Sequence, residues 1–382
     1  MKKQYYAAPM AGMFALAIMA VPAMAKPVPM ASVNGVEFNT LTEAIQVANQ
    51  YPGSTIEILS DATYGTTMLT FEDVTINMNG YTITRTNSEA RWMVGGIEEP
   101  EDLGGEAPET LPVVVINGGE EGSLITDAED VEGEISTPLI TAQYADITIN
   151  NVTMVNTMID DDASAFCLRD AASATLNDCD LSCCCGIKVY REYGTGTSSL
   201  TINGGTITSE CTEDAVWKGS AVLAEIGINY DVNIEINDAV LTSTNTAALV
   251  LSPECHTTIK DSTLSGATGI YYKAGELSIE NSVIEGTGEY VESPATGKEV
   301  NTTISEEVCF DGSGILVDSN NKFGETLPIT ISDDSTVRSA NGYGIREIGG
   351  VDGTGVSLVD LQADGAEISG ALGDIALLEA AE

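Results

Sequence analysis

Ile149-Asn150-Asn151-Val152-Thr153-Met154 is the stretch that decides the fold, because the chain keeps returning to it. It recurs as Leu176-Asn177-Asp178-Cys179-Asp180-Leu181, Ile202-Asn203-Gly204-Gly205-Thr206-Ile207 and Ile236-Asn237-Asp238-Ala239-Val240-Leu241. It continues as Ile259-Lys260-Asp261-Ser262-Thr263-Leu264 and Ile279-Glu280-Asn281-Ser282-Val283-Ile284. An earlier copy is Met78-Asn79-Gly80-Tyr81-Thr82-Ile83, and a stretched one runs from Ile331 to Val337. Each copy is apolar at its first and sixth positions and has Asn, Asp or Gly at its third. From Ile149 to Ile279 the copies lie 27, 26, 34, 23 and 20 residues apart, the spacing of a solenoid repeat.

Asn, Asp and Gly have one thing in common: each holds a left-handed backbone conformation at little cost. A position restricted to these three in every copy predicts one turn conformation, repeated. The residues before it alternate apolar and polar, as in Thr148-Ile149, Ser278-Ile279 and Thr330-Ile331, which suits a short strand with one buried face. A second column of strand signals falls between the phrases. It comprises Gly186-Ile187-Lys188-Val189, Ser220-Ala221-Val222-Leu223, Ala248-Leu249-Val250-Leu251, Gly269-Ile270-Tyr271-Tyr272, Gly314-Ile315-Leu316-Val317 and Gly344-Ile345-Arg346. Two or three strands per turn, with turns stacked about 4.8 Å apart, make a parallel β-helix. A β-sandwich or propeller also has many short strands, but joins them by varied turns rather than one repeated phrase.

On these residues the chain resembles the right-handed parallel β-helix proteins of the pectate-lyase-like superfamily, in particular secreted or surface bacterial members of adhesin-like kind. Val33-Asn34-Gly35-Val36-Glu37-Phe38, then Thr40-Leu41-Thr42-Glu43-Ala44-Ile45, looks like the start of their first rung, as does Val74 to Ile83. The resemblance spans roughly residues 31 to 370. It implies an all-β, right-handed solenoid with a short N-terminal capping helix: a lead-in over 26–39, a helix over 40–50, the β-helix over 51–370 and a C-terminal cap or tail over 371–382. For activity it implies less, because the superfamily includes lyases, hydrolases, adhesins and tail-spike-like proteins. Polygalacturonase-like members carry Gly-His-Gly and Arg-Ile-Lys elements. Here the single histidine sits in Glu254-Cys255-His256-Thr257, and Gly344-Ile345-Arg346-Glu347 departs from the second element. Lyase-like members use a basic proton abstractor beside calcium-binding carboxylates. Lys188, Arg191, Lys218, Lys273 and Arg346 lie on or near the second strand column, without a family motif around them.

Lys2 and Lys3, the apolar run Met13 to Val21 and Ala23-Met24-Ala25 predict a secretory signal peptide over 1–25, cleaved between Ala25 and Lys26. The chain is therefore expected outside the cytoplasm, secreted or at a cell surface, and no other segment is long and apolar enough to span a bilayer. A formal charge of −43 makes nucleic acid and anionic membrane surfaces poor partners. Only 5 % of residues are aromatic, so the core is expected to be stacked Ile, Val, Leu and Thr.

Thr40 and Glu43 have capping-box spacing, and Leu41, Ala44, Ile45 and Ala48 form one apolar face. A helix there would cover the open first rung, whose bare strand edges invite pairing with other chains. Two acidic or polar inserts interrupt the rhythm, at 95–112 and at 285–308.

Asp160, Asp161 and Asp162 form the densest acidic run near the rungs, and they are the first candidates for a calcium site, with the Glu98 to Glu109 segment second. Zinc is disfavoured, with one histidine and no paired ligand spacings. Of eight cysteines, Cys179, Cys183, Cys184, Cys185 and Cys211 crowd two rungs. Setting Leu176 over Ile202 sets Cys185 over Cys211, which predicts a Cys185–Cys211 disulfide between stacked positions. No residue is assigned a catalytic role. The expected function is non-catalytic binding of glycans or cell-surface components; the alternative is a polysaccharide lyase or glycoside hydrolase.

Overall fold

The computed structural model describes residues 28–95, 110–133, 136–158, 163–190, 196–210, 219–225, 231–292, 310–319, 326–349 and 355–380. The expected signal peptide and its Ala25–Lys26 junction lie outside the described residues. The described chain is a parallel β-helix, in which each rung contributes one strand to each of three sheets. We call them A, B and C in the order the chain visits them; they hold 13, 11 and 11 strands.

The phrase is the turn from sheet A to sheet B. Its first apolar residue ends an A strand and its sixth lies in a B strand, as with Ile149 and Met154. Between them Asn151, Asp178, Gly204, Asp238, Asp261 and Asn281 all have φ between +44° and +71°, so the left-handed conformation read from composition is present in every one. Stacked rungs then align like with like. Ile56, Ile76, Ile116, Ile149, Leu176, Ile202, Ile236, Ile259, Ile279 and Ile331 form one inward column of sheet A. All are at most 3 % exposed, and such buried aliphatic columns supply the hydrophobic stabilisation that the few aromatics cannot.

Two details differ from the pattern first read. The copy read from Met78 starts, in register, at Ile76, and its turn is longer; another copy runs from Ile116 to Ile125 through Gly118, Gly119 and Gly122. Length variation otherwise avoids the A–B turn. It collects at the two turns flanking sheet C: the B-to-C passage takes Leu181 to Ile187 on one rung and Ile284 to Ile315 on another.

At the N-terminal end, Ala31–Val33 and Val36–Phe38 form a hairpin that pairs antiparallel onto Ser54–Ile58, reversing the strand direction of sheet A. The helix is Leu41–Ala48, and the Thr40 side chain accepts from the Glu43 N–H at 3.2 Å. Leu41, Ala44, Ile45 and Ala48 are buried over the first rung. At the other end, within the segment read as a cap or tail, Gly373–Ala376 is itself a strand of sheet C, paired with Tyr343–Ile348.

Candidate functional site

Strands of sheet C carry side chains inward and outward alternately. Inward are Trp92, Ile140, Phe166, Ile187 and Val222, all fully buried. One position further along, the register stacks Met93, Thr141, Cys167, Lys188 and Leu223 on the outer face. Two further on, Gln143, Arg169, Tyr190 and Glu225 stack in the same way. The outer face changes character along the solenoid. Toward the C-terminal rungs it is apolar, with Leu223, Val250, Tyr271 and Leu316 packed together and buried. Toward the N-terminal rungs it is cationic.

There a pocket of about 230 Å³ is lined by Arg91, Thr137, Pro138, Thr141, Cys167, Arg169, Lys188 and Tyr190. The Arg169 guanidinium carbon lies 5.1 Å from the centre of the Tyr190 ring, and the Lys188 ammonium 5.0 Å. The ring thus holds two cations beside each other by attraction to its π face. Lys188 Nζ also sits 3.2 Å from Glu225 Oε2, with both side chains mostly buried. Gln143 donates to the Asp170 carboxylate at 3.0 Å, below the Arg169 position. Among the described residues, the pocket lining contains no carboxylate. Two donors there are uncommitted: the Arg91 guanidinium has no ion pair or hydrogen bond among the described residues, and Thr141 Oγ1, on a residue 1 % exposed, has no hydrogen-bond partner.

The wall of the pocket is held from inside. Arg85, fully buried, pairs with Asp127 at 2.6 Å and donates to the Thr137 carbonyl at 2.7 Å. Its other nitrogen donates to Asn156, whose amide in turn reaches the Thr137 and Ser164 carbonyls. A buried charge must be paired and hydrogen-bonded, and this network meets that requirement while fixing the Thr137–Pro138 edge.

Of the three basic residues singled out from sequence that are described, Lys188 lines the pocket and Lys273 and Arg346 do not. Lys273 forms a buried pair with Asp318 at 3.0 Å, and Tyr271 donates to the same carboxylate at 2.7 Å. Arg346 is held by Asp311 at 2.8 Å and stacks over Tyr290. Arg191 and Lys218 lie outside the described residues, as do Asp160, Asp161, Asp162 and the Glu98 to Glu109 segment. Among the described residues no group of three or more His, Cys, Asp or Glu side chains is placed to hold a metal. His256 faces Glu276 at 3.7 Å in a hollow of about 420 Å³ on sheet A, but both side chains are well exposed to solvent, at 44 % and 68 %. Arg91, Thr141, Arg169 and Tyr190 were not among the residues read as candidates. Their signal is outward parity on sheet C, legible only once the rung register is known.

The expected Cys185–Cys211 disulfide is corrected. Cys185 is a free, buried thiol, and its neighbour Cys184 is the disulfide-bonded one. The offset that sets Leu176 over Ile202 holds through Cys183 over Ser209, but Ile187 pairs with Val222, so that offset does not carry on to Cys185; Cys211 itself lies outside the described residues. Burial pushes the Cys185 thiol upward, and it packs with Leu223, Ala247 and Val250.

Compared with protein-family models, characterised proteins and solved structures, the chain matches none. No described helix is long and apolar enough to cross a membrane.

Proposed function

We propose that this chain is an exported, non-catalytic β-helix protein that binds a glycan on the outer face of sheet C, through the pocket around Lys188 and Arg169. One observation carries the reading. In a chain with 15 basic and 58 acidic residues, three basic side chains from different rungs converge on one pocket whose lining, among the described residues, has no carboxylate. Glu225 balances Lys188, which leaves Arg91, without an ion pair among the described residues, as the lining cation available to an anionic or polar ligand. The location agrees with this. Sheet C is the face flanked by the turns that vary in length, and variable loops on a rigid scaffold are where binding residues concentrate.

Binding without turnover follows from the chemistry of the lining. Glycoside hydrolysis needs two carboxylates across the scissile bond, and among the described residues the lining supplies none. Lys188, the one amine there, is neutralised by Glu225 at 3.2 Å. The test is a glycan array with the full chain and with Arg169→Gln, followed by a depolymerisation screen on every glycan retained. Binding that Arg169→Gln abolishes, with no reducing-end release, is the expected result. Turnover of any bound polysaccharide would overturn the non-catalytic reading.

A further inference from the structure

We infer that the C-terminal end of the solenoid is a docking surface for an amphipathic helix of another protein, one with an apolar face and a basic rim. The inference is independent of the glycan-binding reading and starts from the difference between the two ends. At the N-terminal end the Leu41–Ala48 helix buries Leu41, Ala44, Ile45 and Ala48 over the first rung. At the other end Val359–Gln362, Glu367–Gly370 and Gly373–Ala376 are the last strands of sheets A, B and C among the described residues, each with a neighbour on one side. Leu361, Ile368 and Ile375 stand in register over Ile329, Val337 and Ile345, which belong to the inward columns and are fully buried. On the last rung those columns reach the surface. Leu361 and Ile368 are only partly buried, and Ile375 is 46 % exposed. Leu372 and Leu377 are exposed close by in the chain. The tail closes one corner, where Glu379 bridges to Val356 and the Ser357 N–H donates to the Glu379 carbonyl at 2.8 Å. An apolar stack end ringed by bare strand edges is a surface that folded proteins rarely leave uncovered.

Charge decides what covers it. Residues 355–380 hold Asp360, Asp364, Glu367, Asp374 and Glu379, and no Lys, Arg or His. One rung back, Arg338 and Arg346 lie under Ser369 and Ala376, but they are taken up by Glu285 at 3.1 Å and Asp311 at 2.8 Å. A second copy stacked tail to tail would press the same carboxylates against themselves. Stacked head to tail, it would present Glu37 and Glu43 from residues 28–53, a segment that also lacks Lys, Arg and His. Both arrangements oppose like charge to like, whereas Lys or Arg around an apolar face complements the rim. The form of the partner follows from the way the chain covers its own first rung. The apolar centre lies between three strand edges, and an added strand pairs with one of them. A helix laid across the end covers the centre, as Leu41–Ala48 does at the other end. That cap is about 12 Å long at 1.5 Å per residue, so two to three turns with apolar residues on one face match the span.

The experiment uses the full chain and three synthetic peptides of one length. The first has Leu and Ala at helical spacing flanked by Lys, the second has the same residues scrambled, and the third has Glu in place of Lys. Titration at physiological ionic strength should show the ordered Lys peptide binding ten-fold or more tightly than the scrambled one, with the Glu peptide not retained. The scrambled peptide carries the same charge, so it measures the attraction that a chain of −43 exerts on any cation. Ile375→Lys should erase the preference with melting temperature unchanged, because the side chain is half-exposed. Leu69→Lys, at an apolar residue 39 % exposed near the opposite end, should leave the preference intact. Hydrogen exchange reads the contact without any variant: the ordered peptide should slow amides within 358–377. Equal binding of the ordered and scrambled peptides, slowing only elsewhere in the chain, or a preference that survives Ile375→Lys would overturn the inference. A concentration-dependent dimer that Ile375→Lys disperses would overturn it too, by making a second copy the occupant.

Discussion

Asn77 donates its side-chain amide to the Glu57 carboxylate at 2.7 Å, and that contact terminates a column of stacked asparagines on the outside of sheet A. Asn117 donates to Asn77, Asn150 to Asn117, Asn177 to Asn150, Asn203 to Asn177 and Asn237 to Asn203, at 2.7 to 3.0 Å. Every amide points its N–H toward the N-terminal rungs, so the dipoles add. The donor end meets the carboxylate of Glu57, and the carbonyl end faces Lys260, the next residue in the stack. Charge at each end thus complements the column in the way acid and base complement a helix dipole. The column also keeps register, because a slipped strand would replace an amide with a residue that cannot both donate and accept.

Breaking this column in its middle should cost stability. Asn177→Ala removes one donor and one acceptor and leaves Asn203 without its acceptor and Asn150 without its donor. With net hydrogen-bond contributions of roughly 0.5–1.5 kcal/mol each, the expected loss is about 1–3 kcal/mol. Urea denaturation measures it; Asn177→Asp, which still accepts from Asn203, should lose less.

The Arg85–Asp127 pair makes a sharper prediction, because both side chains are fully buried. Asp127→Ala strands a guanidinium among the Thr137, Asn156 and Ala90 oxygens and should cost about 3–5 kcal/mol. The double replacement Arg85→Met with Asp127→Leu should recover most of that loss in the melting temperature. It should also loosen the Thr137–Pro138 edge, so ligand binding at the sheet C pocket is expected not to recover with it.

Buried thiols set the alkaline limit. Burial raises Cys179 to about 11 and Cys183 to about 12, and pushes Cys185 and Cys255 upward as well. A thiol whose native value is raised favours the folded state fully below its unfolded value, near 8.5, and gives that stability up as pH rises through the native one. Melting temperature should therefore be flat from pH 7 to 8 and fall from about pH 9 to 12. Cys179→Ala should reduce the slope of that fall. A slope unchanged in Cys179→Ala would assign the alkaline loss to other groups.

Cysteine pairing can be checked directly. Non-reducing peptide mapping of native protein should find Cys184 in a disulfide and Cys185 as a free thiol. In native protein at pH 8 Cys185 should resist alkylation, being fully protonated and buried, and should react once the chain is unfolded.

How far the fold could be read in advance follows from where one conformation repeats. The A–B turn is legible because a left-handed residue recurs there from the rung of Ile76 to the rung of Ile279, and only Asn, Asp and Gly meet that demand cheaply. Sheet C strands are legible as a second column because Ile187, Leu249, Ile270, Ile315 and Ile345 must all point inward. The pocket was not. Arg91, Thr141, Arg169 and Lys188 meet across rungs joined by turns of unequal length, and no fixed spacing relates them. The same inequality misplaced the disulfide: an offset true for Leu176 and Ile202 fails at Cys185, because the turn before Val222 is longer than the one before Ile187.

The repeated turn offers a last prediction, which separates conformation from packing. Asp178 has φ +49° and Gly205 has φ +78°, so both occupy left-handed backbone within the same column of turns. At Asp178 the side chain is tolerated, so Asp178→Gly should leave stability within about 0.5 kcal/mol while Asp178→Val, a β-branched residue in that conformation, should cost about 1–2 kcal/mol. At Gly205 an added Cβ would stand 2.1 Å from the Cys179 carbonyl oxygen, a backbone atom of the rung below that has nowhere to move. Gly205→Ala should therefore be more damaging than Asp178→Val, at about 2 kcal/mol or more, although alanine is the smaller residue. Thermal melts of the three variants test the order. Gly205→Ala less damaging than Asp178→Val would mean that adjacent rungs shift apart more easily than their shared hydrogen bonds imply.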